Sequence, residues 1–346
     1  MFGGLGPMNS QSWKPDSLRF FFESTSIGSG VASGLSLLNM HETDLSFISP
    51  ATAAISLALL WIAESLLPAF IEHRGSSRGG RWRNLFLAGL NILVASGFAG
   101  LILFVTNLSQ QTNFGLLHQA RSLLPESSTF TLLLVLASFV LLDLWGYAFH
   151  VLAHQVPWLW RFHALHHNAD HFEVTLALRF HAVEIALQGL LSLPIYFLLG
   201  VGIQEVLLYQ LVLMPIAFFH HCNVSLPGNL DRILSWVIVT PGMHLIHHSR
   251  WVRETDSNYA PVFSIWDRVF GSFRWRERPS TVAVGLDGFD EKQIHTLGGM
   301  LQTGLRAKAS HPGERPSNEL IPEALVERDD RVEGIGVSDS APHRCS

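Results

Sequence analysis

The sequence predicts an all-α, multi-pass membrane protein: a transmembrane helical bundle of about four to five membrane helices with a histidine-rich helical metal domain on its cytoplasmic side. Two bulk properties indicate the membrane class. Only 15 % of the 346 residues are charged and the mean hydropathy is +0.27, whereas a typical soluble domain is about 25 % charged. The third observation is the position of histidine, since twelve of the 18 lie between residues 150 and 248.

Charge and cysteine content exclude two other classes. The net charge is −5, and no basic run interleaved with aromatic residues appears, which argues against a nucleic-acid partner. The two cysteines, Cys222 and Cys345, are too few for a disulfide framework.

Three apolar runs precede the histidines and define 47–149 as transmembrane helices. Residues 1–46 form a lead-in rich in Gly and Ser, without the positive start and apolar core of a signal peptide. The runs at 47–70, 85–106 and 129–149 match the roughly 20 helical residues that span a hydrocarbon core.

Charges between these runs predict the orientation of the chain. The first connection contains four arginines, and the positive-inside rule places it in the cytoplasm: Arg74, Arg78, Arg81 and Arg83. The next loop, 107–127, has few charges and is expected on the opposite side. The third run therefore returns the chain to the cytoplasmic face, where the histidines begin.

Two further apolar stretches, 182–200 and 204–219, predict a membrane hairpin over 182–219. Pro194 and Pro215 lie within the two stretches and are expected to break its helices. Both a bent or partly inserted hairpin and two straight spans fit these lengths. Because either one enters and leaves on one side, the last histidines also fall on the cytoplasmic face.

The C-terminal region is polar apart from one apolar stripe. Over 277–306 the apolar residues recur at helical spacing, which predicts a short helix that lies on the membrane or caps the cytoplasmic domain. Composition predicts a disordered tail over 307–346. The stripe consists of Ile294, Leu297, Met300, Leu301 and Leu305.

Three histidine boxes lie within 150–276, at spacings of three and four residues that share one face of a helix. Imidazole suits zinc, copper, iron and nickel. Eight or more histidines oversupply one zinc ion, which takes about four ligands, and the pattern HExxH is absent, so two redox-active iron ions are favoured. The boxes are His150-x3-His154, His163-x2-His166-His167 and His244-x2-His247-His248.

Several polar residues are candidates to orient these histidines. Asp143 precedes His150 by two helical turns, and Glu184 follows His181 by three residues. A carboxylate that accepts the outer N–H of a ligating histidine fixes its orientation; the alternative for Asp143 is a helix-end charge. Weaker candidates to support the ligating histidines from outside are Arg179, Asn223, His171 and His220. For Cys222, a core thiol is expected rather than a ligand.

From about residue 50 to about residue 275, the chain resembles the sterol desaturase and fatty acid hydroxylase superfamily. Several motifs occur in the superfamily's order: DLWGYAFH at 143–150, VPWLWRFHALHH at 156–167, RFHAVE at 179–184, HCN at 221–223, PGMHLIHH at 241–248, and NY at 258–259 before WDRVFG at 266–271.

The resemblance implies that 150–276 is a histidine-box catalytic domain of a membrane-bound non-haem di-iron oxygenase. Such an enzyme hydroxylates or desaturates a lipid with O2 and electrons from a separate donor protein, a ferredoxin or a cytochrome with its reductase. The host membrane would be the inner membrane in a bacterium or the endoplasmic reticulum in a eukaryote. The implied metal ligands are His150, His154, His163, His166, His167, His181, His221, His244, His247 and His248, with Asp143, Glu184 and Asn223 behind them.

Two alternatives stay open. A membrane fatty-acyl desaturase also uses three histidine boxes, but it places a longer segment between the first two than the one at 155–162. A non-enzymatic metal-binding membrane protein, such as a transporter, would need ionisable residues along a path through the membrane. The apolar runs offer little beyond Glu64 and Glu205, and a structural role is expected for Glu64.

Overall fold

The computed structural model describes residues 42–69, 80–277, 279, 282–289 and 295–306, which are mostly helical. Within these residues, five helices are long and apolar enough to cross a membrane, which confirms the predicted multi-pass bundle. They are α1 (Glu42–Leu66), α2 (Gly80–Thr112), α4 (Ser128–Gln155), α6 (Ala182–Leu199) and α7 (Ile203–His221). The predicted tail, Arg74, Arg78, Ile294 and the lead-in before residue 42 lie outside the described residues.

Shorter helices join and cover the spans. The helix α3 (Leu116–Leu123) follows α2. The others are α5 (Pro157–His167), a 3₁₀ helix (Val174–Leu178), α8 (Gly228–Leu234), α9 (Pro241–His247), α10 (Val252–Thr255), α11 (Ile265–Val269) and α12 (Leu297–Arg306).

The last two spans pack mainly on earlier spans and not on each other. The helix α6 packs mainly on α2, whereas α7 packs on α1 and on α4. Both α6 and α7 run continuously through Pro194 and Pro215, so the predicted breaks are wrong. Membrane helices tolerate proline because neighbouring groups satisfy the freed backbone carbonyls.

The turn after α6 requires glycine on both sides of a close backbone contact. Gly200 ends α6 with φ of 78°, and Gly115 has φ of 120°. A Cβ on Gly115 would lie 2.4 Å from the Cα of Gly200. Any side chain at Gly115 would therefore push α3 away from the α6–α7 turn.

A buried ion pair connects the first span to three other parts of the chain. Glu64 is 3 % exposed, and its Oε1 accepts a hydrogen bond of 2.8 Å from Arg81 Nη2. Its Oε2 accepts from the backbone N–H groups of Val174 at 2.9 Å and Asn223 at 3.1 Å. Arg81 also pairs with Glu173. Glu64 thus has the structural role expected from the sequence.

The C-terminal helix α12 covers α5. Met300 is fully buried against Leu87 and Leu165, and a Cβ on Gly304 would collide with the ring of Phe162. The helix therefore packs on α5 through the apolar residues of its stripe.

Candidate metal centre

The structure brings nine of the predicted histidines into two groups at one end of the bundle. In each group the candidate ligand atoms lie within 4.8 Å of one another. The first group, called cluster A, contains His150, His154, His163, His167 and His247. The second, called cluster B, contains His166, His221, His244 and His248.

The helical spacing of the boxes explains how two clusters form from a few short helices. On α5, His163 and His167 are four residues apart and both belong to cluster A, while His166 faces cluster B. The third box divides in the same way, since His244 and His248 join cluster B and His247 joins cluster A. Two helices therefore contribute to both clusters and hold them side by side.

The ring nitrogens approach one another at distances suited to a shared ion. In cluster A, His167 Nε2 lies 3.1 Å from His154 Nε2 and 3.2 Å from His163 Nε2. About 3.0 Å separates ligands at right angles around an ion with bonds of roughly 2.1 Å.

The nitrogens of cluster B are equally close. His221 Nε2 lies 3.2 Å from His166 Nε2 and 2.9 Å from His244 Nε2. The Nε2 atoms of His244 and His248 are 3.1 Å apart.

In cluster A, acceptors outside the cluster orient the rings. His150 Nδ1 lies 2.7 Å from the carbonyl oxygen of Tyr259, and His247 Nδ1 lies 2.6 Å from that of Ser257. A carbonyl oxygen only accepts, so each Nδ1 carries the hydrogen and each Nε2 presents a lone pair. Both of these Nε2 atoms are buried without a hydrogen-bond partner among the described residues.

Two carboxylates complete this set of acceptors. Glu184 Oε1 lies 2.7 Å from Nδ1 of His163, and Asp256 Oδ1 lies 3.2 Å from Nδ1 of His154. Acceptors of this kind fix the tautomer and ring orientation of histidines that bind metals.

Cluster B is oriented mainly by packing. The ring of His166 stacks on Phe180 with centroids 4.4 Å apart and an angle of 10°, and Phe172 packs against His248 at 5.5 Å. One acceptor is present, the carbonyl oxygen of Ala217, 2.7 Å from Nδ1 of His221.

Burial favours the neutral form of five cluster imidazoles. For the cluster histidines outside the spans, burial lowers the pKa well below the ordinary value of histidine, and neighbouring imidazoles lower the pKa further. These histidines are His166, His167, His244, His247 and His248. A metal binds the neutral form, so the site is prepared for ligation.

A short segment, Asp256 to Tyr259, supplies three of the four outside acceptors of cluster A, and we call it the strap. Asn258 lies within it at φ of 53°. Its side chain donates to the carbonyl oxygens of Met243 at 2.9 Å and Arg274 at 3.0 Å, and accepts from Arg274 N at 2.9 Å. Asp267 accepts from the backbone N–H of Tyr259 at 2.7 Å.

The donor set fits two metal ions. Nine buried or half-buried imidazoles point nitrogens into two clusters, and the orphaned Nε2 atoms of His150 and His247 need a partner. Imidazole suits iron, zinc, copper and nickel, and five plus four histidines exceed what one zinc ion takes.

Comparison with known proteins assigns the segment that carries the clusters. Residues 135–272 match the sequence model of the fatty acid hydroxylase family. This segment is similar to proteins of that family. The match contains all nine cluster histidines. No solved structure matches the chain.

Three relatives of this segment have names that refer to different lipids. Ornithine lipid hydroxylase OlsE of Rhizobium tropici is 38 % identical over 157 residues, covering 45 % of this chain and 44 % of that protein. Human alkylglycerol monooxygenase is 33 % identical over 143 residues, covering 40 % of this chain and 30 % of that protein. Human cholesterol 25-hydroxylase is 32 % identical over 174 residues, covering 48 % of this chain and 62 % of that protein. Each match spans less than two thirds of the relative.

Within residues 135–272, His181 lies outside both clusters. Its Nδ1 accepts from the backbone N–H of Val183 at 3.1 Å, which caps α6, and its Nε2 donates to the carbonyl oxygen of Leu301 at 3.1 Å. Both ring nitrogens are therefore used within the protein. The geometry gives His181 a capping role in place of the predicted metal contact.

The predicted supporting carboxylates differ in their contacts. Glu184 contacts a cluster histidine, although its partner is His163 and not His181. Asp143 does not contact a histidine in the structure, because its oxygens accept from Tyr209, the backbone of Phe263 and Trp266. Its seven-residue spacing from His150 places it two turns away along α4.

The remaining candidates lie around the clusters. Asn223 donates its backbone N–H to Glu64, and His171 pairs with Asp170 at 2.5 Å. His220 lies beside cluster B, with its ring 4.2 Å from that of His244. Cys222 is a buried thiol packed against the first span.

The side chain of Arg179 supports the second box by binding a backbone carbonyl of that box. Its guanidinium donates to the carbonyl oxygen of Leu165 at 2.9 Å and to Asn168 at 2.7 Å. The contacts of the strap were missed by sequence reasoning, because two of its three acceptors are backbone carbonyls. The motif Asn258-Tyr259 was the one feature of the sequence that indicated a functional role for this segment.

Proposed function

We propose that this protein is a membrane-bound non-haem di-iron oxygenase that inserts one oxygen atom of O2 into a C–H bond of a lipid. The observation that carries the proposal is the pair of histidine clusters, built from neutral imidazoles at one end of a membrane bundle. The second product would be water, formed from the other oxygen atom with two electrons and two protons.

Cluster A and cluster B would each hold one iron ion. When bound, the two ions supply the binding and reduction of dioxygen that no side chain performs. The protein's contribution lies in its own groups. Glu184, Asp256 and the carbonyl oxygens of Ser257 and Tyr259 hold hydrogens on Nδ1 of their histidines, and this leaves Nε2 unprotonated toward the ions.

Exclusion of water is the second contribution of the protein. Eight of the nine cluster histidines are buried, and the aromatic rings of Trp160, Phe172 and Phe180 surround them. Burial of this kind would exclude water and so limit side reactions during catalysis.

The substrate class follows from the relatives and the membrane bundle. The named relatives hydroxylate an ornithine lipid, an alkylglycerol and cholesterol, which share a long aliphatic region and a small polar head. We infer a substrate of the same kind, drawn from the bilayer.

The electrons would come from a separate donor protein, a ferredoxin or a cytochrome with its reductase, because the sequence has no dinucleotide-binding fingerprint. We infer that the donor reaches the clusters from the cytoplasmic side. The arginines near the start of α2, which include Arg81 and Arg83, support this orientation.

Metal analysis tests the proposal first. Detergent-purified protein is expected to contain about two irons per chain, and a His163→Ala, His247→Ala double variant should lose iron from cluster A. A His118→Ala variant is the matched control, because His118 lies on α3 near Gly200, remote from the clusters. One zinc per chain, or the same iron content in all three proteins, would contradict the proposal.

Isotope labelling then separates the possible activities. Membrane lipids incubated with the iron-loaded protein, a chemical reductant and ¹⁸O2 should gain one ¹⁸O atom per molecule of product. Loss of two hydrogens without ¹⁸O would identify a desaturase instead. Metal transport into liposomes without oxygen consumption would support the non-enzymatic alternative.

A further inference from the structure

A second apolar surface exists outside the five candidate spans. It is formed by residues 228–238, which include α8, and residues 262–270, which include α11; we call these together the apolar element. Seven large apolar side chains of this element are exposed, with Ile233 at 66 % and Trp236 at 63 %. The others are Leu230, Val237, Ile265, Val269 and Phe270.

The two halves of the apolar element form one unit. Ile238 and Phe263 pair as an antiparallel bridge, and Ser264 donates through its backbone N–H to Val237 O at 3.2 Å. The guanidinium of Arg268, on the second half, lies 4.5 Å from the ring of Trp236 on the first. The exposed apolar side chains therefore form one surface.

Four polar side chains of the apolar element point inward. Asp231, Ser235, Ser264 and Asp267 are buried, and Ser264 Oγ donates to the carbonyl oxygen of Ser235 at 2.5 Å. The backbone bonds in the two halves include Ile238 N to Leu234 O at 2.9 Å. Internal satisfaction of backbone groups is required of any segment placed in hydrocarbon.

The segment leading into the apolar element descends along α4, away from the histidines. Tyr259 contacts His150, and a Cβ on Gly146 would lie 2.9 Å from Pro261. Phe263 N donates to Asp143 at 3.0 Å, and its ring lies 5.5 Å from that of Phe139. Because a helix rises about 1.5 Å per residue, the contact at Phe139 lies roughly 16 Å from His150 along the span.

We propose that the apolar element is inserted into the bilayer without crossing it, and that its exposed face contacts the acyl chains of the leaflet nearest the histidine clusters. This proposal requires only that the five candidate spans cross a membrane. The depth along α4 places the element beside residues that the bilayer itself surrounds, so its surface is continuous with the lipid-facing surface of the spans.

The charges of the apolar element fit this position. Its exposed or half-exposed charged residues are basic, Arg232 and Arg268, while its acidic residues are buried. Arginine side chains near a membrane surface extend toward anionic headgroups, and tryptophan is enriched at the same level. Trp236 stacked against Arg268 is thus suited to the headgroup boundary.

Spin labelling tests the position directly. Single cysteines at Ile233→Cys, Val237→Cys and Val269→Cys, in a Cys345→Ser background with Cys222 buried, are labelled with a nitroxide in lipid nanodiscs. Collision with O2, which concentrates in hydrocarbon, is compared with collision with a water-soluble nickel chelate. Leu93→Cys on α2 is the lipid-facing reference, and Asp287→Cys is the water-facing reference, since both positions are exposed.

The proposal expects an oxygen-to-nickel ratio at the three positions several-fold above that at Asp287 and similar to that at Leu93. A ratio like that at Asp287 would overturn it in favour of a water-exposed surface. Shielding from both reagents would also overturn it, and spin–spin broadening would then identify a second copy of the chain as the occupant.

The unmodified protein provides an independent measurement. Phospholipids with a photoreactive group near the end of one acyl chain are incorporated in the nanodiscs and activated by light. Crosslinked peptides from 228–238 and 262–270, at a yield comparable to peptides of α2, are expected. Crosslinks confined to the five spans would overturn the proposal without depending on any variant.

Discussion

The two histidine clusters are built differently although they share two helices. In cluster A, four of the five histidines have Nδ1 held by an acceptor outside the cluster. In cluster B, one acceptor holds His221, while Nδ1 of His166 and His244 is buried without a hydrogen-bond partner among the described residues. Cluster A is therefore fixed in tautomer before any ion arrives, whereas cluster B depends on ring packing.

This difference predicts an order of metal loading. Fixed acceptors raise the basicity of ligating histidines and reduce the cost of organising them. We expect cluster A to bind iron more tightly than cluster B, and the predictions below test which groups produce that difference.

The first prediction concerns the property that the clusters share, their neutral imidazoles. Five histidines outside the spans have pKa values lowered well below 6.5 by burial. Below pH 6.5 the unfolded chain binds protons that the folded chain does not, so stability falls as the pH falls. Each such histidine contributes about 1 kcal/mol between pH 7.5 and 5.5, or several kcal/mol in total.

Thermal unfolding of metal-free protein in nanodiscs at a series of pH values measures this effect. Iron-loaded protein is the control at neutral pH, where bound metal should raise the unfolding temperature. A metal-free unfolding temperature that does not change between pH 7.5 and 5.5 would contradict neutral, buried clusters.

The second prediction removes the anchor of the strap. Asn258→Ala loses three hydrogen bonds, and alanine tolerates positive φ less well than asparagine, so about 3 kcal/mol of stability should be lost. Asn258→Gly relieves the backbone cost but not the lost bonds, and it should be about 1 kcal/mol more stable than the alanine variant. Denaturation of both variants measures the difference.

Iron affinity of the same two variants locates the effect. Because the strap supplies acceptors to cluster A only, the tighter iron-binding phase, which we assign to cluster A, should weaken. The weaker phase, which we assign to cluster B, should not change. Equal weakening of both phases would show that the strap supports the whole fold and not one cluster.

The third prediction removes one acceptor. Glu184→Ala leaves Nδ1–H of His163 buried without its acceptor, and loss of such a group costs about 10- to 100-fold in metal affinity. Glu184→Gln retains an acceptor oxygen and should lose less. Anaerobic competition between the protein and an iron chelator measures both affinities.

Glu205→Gln is the matched control for the Glu184 variants. Glu205 lies at the other end of the hairpin, where its carboxylate accepts from the backbone N–H of Gly202 at 3.0 Å. An iron affinity that is unchanged in Glu184→Ala, or that falls equally in Glu205→Gln, would contradict the proposal that the acceptors cause the difference between the clusters.

The smallest effect is expected in cluster B. Phe180→Leu removes the stacked ring beside His166, an interaction worth about 0.5–1.5 kcal/mol, so the weaker iron phase should weaken by about 2- to 12-fold. Phe139→Leu removes an aromatic contact within the span region and serves as the control. A loss of iron affinity confined to the tighter phase would show that the tighter phase belongs to cluster B and not to cluster A.

Sequence predicted the clusters well because their physical basis is local. Spacings of three and four residues place His163, His166 and His167 on adjacent faces of one turn, and the apolar runs that bring the boxes together are long enough to identify singly. The predicted ends of the spans were displaced by a few residues, as at α1, where Glu42 and Asp44 continue the helix into its acidic first turn.

What sequence could not predict depends on contacts between distant segments. Nothing local indicates that His181 uses both nitrogens in hydrogen bonds, since one partner is the carbonyl oxygen of Leu301. The contacts of Asp143 are similar, because its partners lie on α7 and in the apolar element. Backbone acceptors such as Tyr259 O carry no sequence signature at all.

The buried Glu64 imposes an order on biosynthesis. Arg81 follows it by 17 residues, Val174 by 110 and Asn223 by 159. At roughly 5–20 residues per second, the ribosome makes Arg81 within about 1–3 s but Val174 only after about 6–20 s. Arg81 is therefore available to neutralise Glu64 several seconds before the backbone N–H groups of Val174 and Asn223 are made.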